Sequence, residues 1–273
     1  MRLGIQRMDT AIDFASLIIT YNSANEIGDL LSDLRRLTWP DRHRVIVIDN
    51  RSQDDTVQIV RRRFPEVCLI ENSRNLGFAK AVNQGMDVCE AGYVFLLNPD
   101  LRIVQEDFHQ MMLACIQQSP TIAAVGPLQS VQTRKGRRLN WNWSYCNAAT
   151  FSLFVSHWLK LDANFSIPLS ASFLNCGCLL LRKSAFLSVG KLNENYFLYG
   201  EEPDLFLKFT RAGYESRLLP SVEVIHHRDR SLNTLPAAQQ FMLRLRGLCN
   251  IGDALVRGYA RLTLARLSGG KSR

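Results

Sequence analysis

From Ala15 onward, short apolar runs alternate with stretches whose apolar residues recur every three or four positions. Ala15–Thr20 is a run of strand length, and Ile27, Leu30, Leu31, Leu34 and Leu37 then repeat at helical spacing. Ser23 and Glu26 have the spacing of a capping box for that helix, and Trp39-Pro40 ends it. Arg44–Asp49 predicts a second strand, followed by a helix over about 54–63 that Ser52 and Asp55 introduce. A short strand over 67–70, a helix over 78–90, the strand Tyr-Val-Phe-Leu-Leu at 93–97, a helix over 106–118 and a strand over 122–125 continue the pattern. The run at 93–97 is apolar throughout, as in a strand covered on both faces, and stops at Asn98-Pro99-Asp100. Strands alternating with helices predict an α/β, Rossmann-like, doubly wound and mostly parallel sheet.

The second half is less regular. Residues 127–172 carry Trp, Asn, Ser and basic residues without a clean period and predict a long excursion over the active face. A strand is expected over 173–181, and a helix opens at Glu202-Pro203 with Pro203 at its first position and Gly213 beyond its end. Two short strands are expected over 216–219 and 222–225, and a helical tail from Gln240. The expected organisation is one domain over 1–239, with a nucleotide half over about 15–126 and an acceptor half over about 127–239, followed by the tail at 240–273.

Charge adds a partner class. The formal net charge is +8, and residues 240–273 hold seven basic residues against the single acid Asp253. A second basic knot lies at Arg134-Lys135-Gly136-Arg137-Arg138. Such an excess points to an anionic partner: nucleic acid, a phosphorylated substrate or an acidic membrane surface. In the tail, Leu248, Ile251, Leu255, Tyr259 and Leu262 form a stripe with Arg257, Arg261 and Arg266 off it. The stripe fits either a helix packed on the domain or an interfacial helix on anionic lipid. Seven cysteines without a C-x-x-C pair argue for a reducing compartment and against a zinc site. No apolar stretch has the length of a membrane span or a secretory signal.

Candidate chemistry collects at the carboxyl ends of strands, where open α/β sheets bind ligands. The first strand ends in Thr20-Tyr21-Asn22, the second in Asp49-Asn50 and the fourth in Asn98-Pro99-Asp100. Between them, Gly77 permits a tight turn, and Lys80 and Asn83 fall three apart on the following helix. A helix N-terminus beside a lysine is a natural phosphate site. Each residue alone has an ordinary role as cap, turn or solvated charge; together they predict a nucleotide site.

These segments resemble a known family. Ile19-Thr20-Tyr21-Asn22, Asp49 to Asp54, Asn75 to Gly85, Leu97-Asn98-Pro99-Asp100 and Phe197 to Leu205 are similar to motifs of family-2 inverting glycosyltransferases of the GT-A fold, especially the bacterial rhamnosyltransferase-like branch. The resemblance covers about 16–231. It implies a nucleoside diphosphate sugar donor, with dTDP-rhamnose as the suggested one, and a glycan or polyprenyl-linked acceptor of cell-surface polysaccharide synthesis. Thr20, Asn22 and Asp49 would hold base and ribose, with Tyr21, Asn50, Gly77, Lys80, Asn83 and Asn98 completing the donor side. Asn98-Pro99-Asp100 stands at the family's D-x-D metal motif, so Asp100 would be the chief carboxylate toward Mg²⁺ or Mn²⁺, with His226 or His227 near the metal or diphosphate. The family's acid–Asp pair is Glu201-Glu202 here, which implies Glu202 as general base and leaves Glu201 and Asp204 in reserve. Asn175-Cys176-Gly177 matches an acceptor-side segment. The expected location is the cytoplasm, peripheral on the inner membrane if the tail binds lipid.

Two other classes remain open on sequence alone. A sugar-nucleotidyltransferase would want a Gly- and Arg-rich phosphate loop after the first strand, where Thr20-Tyr21-Asn22-Ser23 has neither. A non-enzymatic nucleic-acid or polyanion binder would suit the charge, but no nucleic-acid motif is present and no nucleic-acid partner is expected.

Overall fold

The structure, a computed structural model, describes residues 14–39, 43–133, 136–139, 169–171, 174–198 and 200–227. The tail at 240–273, Tyr199 and most of the 127–172 excursion lie outside the described residues, as do the side chains of the basic knot. Strands β1 (Phe14–Thr20), β2 (His43–Asp49), β3 (Cys68–Glu71) and β4 (Tyr93–Leu97) alternate with helices α1 (Ile27–Arg36), α2 (Thr56–Arg63) and α3 (Phe78–Val88). All four strands run parallel, in the spatial order β3-β2-β1-β4. This half of the molecule is the doubly wound unit that the apolar periodicity predicts.

The remaining strands complete one mixed sheet. They are β5 (Leu101–Ile103), β6 (Ile122–Thr133), β7 (Gly136–Leu139), β8 (Leu169–Ser170), β9 (Cys178–Arg182) and β10 (Glu215–His226), with helices α4 (Phe108–Gln117), α5 (Lys183–Ser188) and α6 (Glu201–Arg211) among them. Beyond β4 the order continues β9-β6-β10-β5; β9 is antiparallel to both β4 and β6, while β6 and β10 are parallel. The two sheet faces carry separate apolar cores. One packs Leu17, Leu96, Leu179 and Leu181 against α3 residues Ala79, Val82 and Met86, the other Ile18, Val47, Phe95 and Leu180 against Leu30, Leu34 and Phe108. Among the described residues no helix is long and apolar enough to cross a membrane.

Several local expectations need correction. The capping box does not form: the Ser23 carbonyl accepts from Glu26 N–H and Ile27 N–H, and no side chain caps α1. The start of the supposed excursion is strand, because β6 runs on through Thr133, paired with β10 as far as Ser130 and with β7 over 130–133. The strands expected over 216–219 and 222–225 are one, β10, with a register shift between Leu219 and Glu223; Pro220, which cannot donate to a ladder, sits inside the shift. Of the strand expected over 173–181, residues 174–177 are not strand; β9 begins at Cys178 and runs through Arg182 directly into α5. Helix α6 begins at Glu201 after Gly200 in a left-handed conformation (φ 101°), so Pro203 occupies the third helical position. It is tolerated there because first-turn N–H groups have no intrahelical partner.

β5 was not legible in the pattern, yet it fixes the Asn-Pro-Asp turn. Directly after Asp100 it pairs antiparallel with the end of β10. The buried carboxylate of Asp33 on α1 accepts from Ile103 N–H at 3.0 Å and from Arg102 Nε at 2.8 Å. Held on both sides, the turn presents Asp100 to the carboxyl end of β10.

Candidate active site

The carboxyl ends of β1 and β2 are locked to each other. Thr20 Oγ1 donates to Asp49 Oδ1 at 2.8 Å, and Asp49 also accepts from Ser52 N–H at 2.8 Å and from Ser52 Oγ at 2.5 Å. Asp49 is 1% exposed, so its carboxylate holds the loop together beneath the surface. Asn22 and Arg51 adopt left-handed conformations with φ 52° and 64°, and the two loops exchange bonds: Asn22 N–H to Ser52 Oγ at 2.9 Å, Gln53 N–H to Asn22 Oδ1 at 2.7 Å. Ser52 therefore staples the strand ends and does not cap α2. Tyr21 stands half-buried beside this knot.

Asn50 is likewise interior. Its amide donates to the Gly77 carbonyl at 3.2 Å and accepts from Asn72 Nδ2 at 3.0 Å, which clamps the 72–77 loop onto β2. Gly77 (φ 82°) is required by a close approach: a Cβ there would lie 2.6 Å from the Phe197 carbonyl oxygen. That carbonyl accepts from Phe78 N–H at 2.9 Å. The first amide of α3, expected to face a phosphate, is thus already capped. Lys80 and Asn83 also part ways. Lys80 is exposed, whereas Asn83 is buried, donates to the Leu192 carbonyl and Glu194 Oε1 at 3.0 Å each, and accepts from Leu192 N–H at 3.1 Å. Asn83 acts as a clasp between α3 and the segment leading to α6.

Beyond β4, one corner gathers Asn98, Asp100 and His226. His226 Nε2 lies 3.1 Å from Asp100 Oδ1 and 3.4 Å from Asn98 Nδ2, and both Asp100 and His226 are more than nine-tenths buried. Of the two histidines, His226 brings its ring to Asp100, while His227 donates its backbone N–H to the Asp100 carbonyl at 2.9 Å. Among the described residues no group of three or more His, Cys, Asp and Glu side chains could hold a metal ion. Two donors are present, and their separation fits the group: adjacent ligands of an octahedral ion at about 2.1 Å lie about 3 Å apart. A site of one carboxylate and one imidazole leaves the other positions to phosphate oxygens and water.

A second corner forms where α6 begins. Glu202, half-buried, accepts from Cys176 N–H through Oε1 at 2.6 Å. Glu201 is 4% exposed, and its Oε2 has no hydrogen-bond partner among the described residues. Burial, reinforced by the neighbouring Glu202 carboxylate, pushes Glu201 up to about 8. Glu201 is therefore protonated at neutral pH and carries no charge with which to accept a proton. Asp204 pairs with Lys208 one turn on, at 2.9 Å. Of the three acids, Glu202 is the one suited to act as a base.

The two corners meet at Asn175-Cys176-Gly177. Asn98 N–H donates to the Gly177 carbonyl at 2.8 Å, Cys176 N–H holds Glu202, and the Asn175 carbonyl accepts from Gln129 Nε2 at 3.4 Å. Sequence reasoning missed Gln129, took Ser52 for a helix start and gave Phe197 no role beyond its motif. An Asp-x-x-Ser spacing after a strand is a turn signature that would have found Ser52; a glutamine inside β6 gives no such signal.

A mixed α/β sheet that gathers polar side chains at its strand ends, with a carboxylate–imidazole pair and a helix-borne acid tied to one tripeptide, is the arrangement of the GT-A glycosyltransferase fold. The model of the family described as "Glycosyl transferase family 2" matches residues 16–190, and the chain belongs to that family. It is 30% identical over 217 residues to the N-acetylglucosaminyl-diphospho-decaprenol L-rhamnosyltransferase of Mycobacterium tuberculosis, covering 71% of this chain and 69% of that protein. It is 24% identical over 238 residues to the low-salt glycan biosynthesis hexosyltransferase Agl10 of Haloferax volcanii, covering 86% and 73%. Among solved structures, GalNAc-T7 with UDP, GalNAc and Mn²⁺ superposes with a TM-score of 0.64 at 15% identity, over 80% of this chain and 44% of that one. The mannosyltransferase PcManGT from Pyrobaculum calidifontis with GDP-Man and Mn²⁺ gives 0.58 at 18% identity, over 97% and 79%. At such identities the two structures establish the fold.

Proposed function

We propose that this chain transfers a sugar, with inversion at the anomeric carbon, from a nucleoside diphosphate donor to a hydroxyl of a glycan on a lipid diphosphate. The observation that carries this reading is the tripeptide Asn175-Cys176-Gly177, which joins the Asp100–His226 corner to Glu202 through backbone hydrogen bonds. In this reading the tripeptide ties the leaving-group corner, through Asn98, to the base Glu202. The mycobacterial relative, whose name states a rhamnosyl transfer to a decaprenol-linked N-acetylglucosaminyl diphosphate, supports rhamnose as the sugar and a polyprenyl-linked acceptor.

In this reading Asp100 and His226 are the residues that would hold Mg²⁺ or Mn²⁺ at the donor diphosphate. The ion, when bound, neutralises charge that develops on the departing diphosphate. Tyr21 flanks the base of the donor and Lys80 its phosphates. Glu202 takes the proton of the acceptor hydroxyl as that oxygen bonds to the anomeric carbon; the bond to the diphosphate oxygen breaks, and the nucleoside diphosphate departs with the electron pair. Protonated Glu201 adds no second negative charge beside Glu202. Residues 240–273 would hold the protein on anionic lipid near its acceptor, at the cytoplasmic face of the membrane. Liposome binding that survives truncation at Gln240 contradicts that last element.

The test is a panel of nucleotide sugars, dTDP-rhamnose included, incubated with Mg²⁺ or Mn²⁺ and a polyprenyl diphosphate-linked acceptor. The expected result is one product of inverted anomeric configuration, lost on chelation. A product of retained configuration, or turnover indifferent to chelation, overturns the mechanism.

A further inference from the structure

Gln129 lies in β6, is 3% exposed, and belongs to no motif that the function absorbs. It pairs in register with Val224 on the parallel strand β10, so its side chain shares a face with His226 two residues on. Its Oε1 is 2.9 Å from His226 Nδ1, while its Nε2 reaches the Asn175 carbonyl at 3.4 Å. A carbonyl can only accept, so the Asn175 contact fixes which end of the amide is which. Oε1 must then face the ring, and it too can only accept, so Nδ1 carries the hydrogen.

We propose that Gln129 is a positioning residue that holds the hydrogen of His226 on Nδ1, so that Nε2 is the ring atom left for Asp100 and a cation. Nε2 lies 3.1 Å from Asp100 Oδ1; a bare lone pair and a carboxylate oxygen repel at that distance, so Nε2 serves as a ligand only with an ion between the two. Such outer hydrogen bonds orient a metal-binding imidazole, and their loss typically weakens the metal about 10- to 100-fold. Gln129 also anchors the tripeptide that holds Glu202, so one buried amide sets both the ring and the first residue of the bridge.

The tautomer claim is testable without metal, whereas its consequence for the ion rests on the metal reading above. In ¹⁵N-labelled protein, long-range ¹H–¹⁵N correlation should show a hydrogen on His226 Nδ1, whether or not Nε2 shares one with Asp100. Gln129→Glu, which keeps an acceptor at the same place, should preserve that form; Gln129→Leu should shift the ring toward Nε2–H. Wild-type protein in the Nε2–H form, a Leu variant that keeps Nδ1–H, or a Glu variant that loses it each overturns the proposal. If the Leu variant fails to fold, the wild-type and Glu spectra still decide. Free Mn²⁺ followed by paramagnetic resonance, with UDP and with dTDP, reads the consequence. Gln129→Leu is expected to bind Mn²⁺ about 10- to 100-fold more weakly, with Gln129→Glu within a few-fold of wild type. An Nδ1–H ring in a protein that binds no Mn²⁺ overturns the metal reading and supports the positioning role.

Discussion

The backbone N–H of Cys176 donates to Glu202 Oε1 at 2.6 Å. The bond aims a flexible side chain through a rigid strand lead-in, because Gly177 passes its own carbonyl to Asn98 and the chain enters β9 at the next residue. Position at the helix start alone would leave the longer glutamate arm free to swing. With one oxygen tethered, its additional methylene is compatible with a defined geometry.

Glu202→Gln keeps the size and the acceptor oxygen of the side chain but removes its basicity. Transfer should fall about 10²- to 10⁴-fold while donor binding changes little. Turnover assays paired with donor titration calorimetry check this, and full activity in the variant would move the base elsewhere.

Glu201→Gln should behave oppositely, because glutamine imitates the protonated acid already present. Transfer near neutral pH should be retained. Stability supplies the sharper reading. Glu201 titrates at about 8 in the folded chain against 4.5 unfolded, so the native state holds the extra proton between those values. Stability is then full below 4.5, declines as pH rises through the window and is lowest above about 8. Urea midpoints for wild type and variant should converge at the acid end and separate with rising pH, the variant becoming the more stable. Parallel curves would show that Glu201 titrates normally.

The parallel half was legible because each apolar run of strand length precedes a helix with its own apolar stripe, as at Leu17–Ile19 and Leu30–Leu34. The site was less so. Asp49 and Asn50 at a strand end and Asn83 on a helix face read as ligand-facing because polar residues in such places usually are; here burial commits each to backbone or loop partners. Only the start of β6, over 122–125, is legible in the pattern, for the converse reason. Gln129 and Ser130 interrupt its apolar pattern, yet both are buried, and polarity in an interior strand cannot be told from surface polarity in a linear chain. Pro220 similarly split β10 in two. Tertiary partners, absent from any local window, decide all of these.

Asn83 and Lys80 can be separated by paired variants. Asn83→Leu strands the N–H and carbonyl of Leu192 in the interior and should cost about 3 kcal/mol of stability. Lys80→Ala, on an exposed site, should change stability by less than about 0.5 kcal/mol. It should instead weaken donor binding roughly tenfold, as loss of a charge-assisted contact to phosphate would. Denaturant midpoints and donor affinity measured on both variants check the division; a Lys80 variant with native donor affinity would remove this lysine from the phosphate site.

Gly177→Ala tests the bridge itself. A Cβ at this position would lie 2.6 Å from Asn175 Oδ1 and 2.7 Å from His226 Cε1, closer than real side chains approach. The Asn175 amide can rotate away, but only by giving up its bond to Gly177 N–H, now 2.7 Å. The His226 ring has less room, because Gln129 and Asp100 hold its two nitrogens. The methyl should therefore tilt the ring off Asp100 and shift the backbone that carries Cys176 N–H. Both corners should fail together: Mn²⁺ affinity and turnover drop, with a stability loss of about 1–3 kcal/mol from the overpacked contact. Circular dichroism would confirm the fold, and Mn²⁺ titration and transfer assays would read the two corners. Weakened metal binding with turnover intact at saturating Mn²⁺ would show that the tripeptide does not link them.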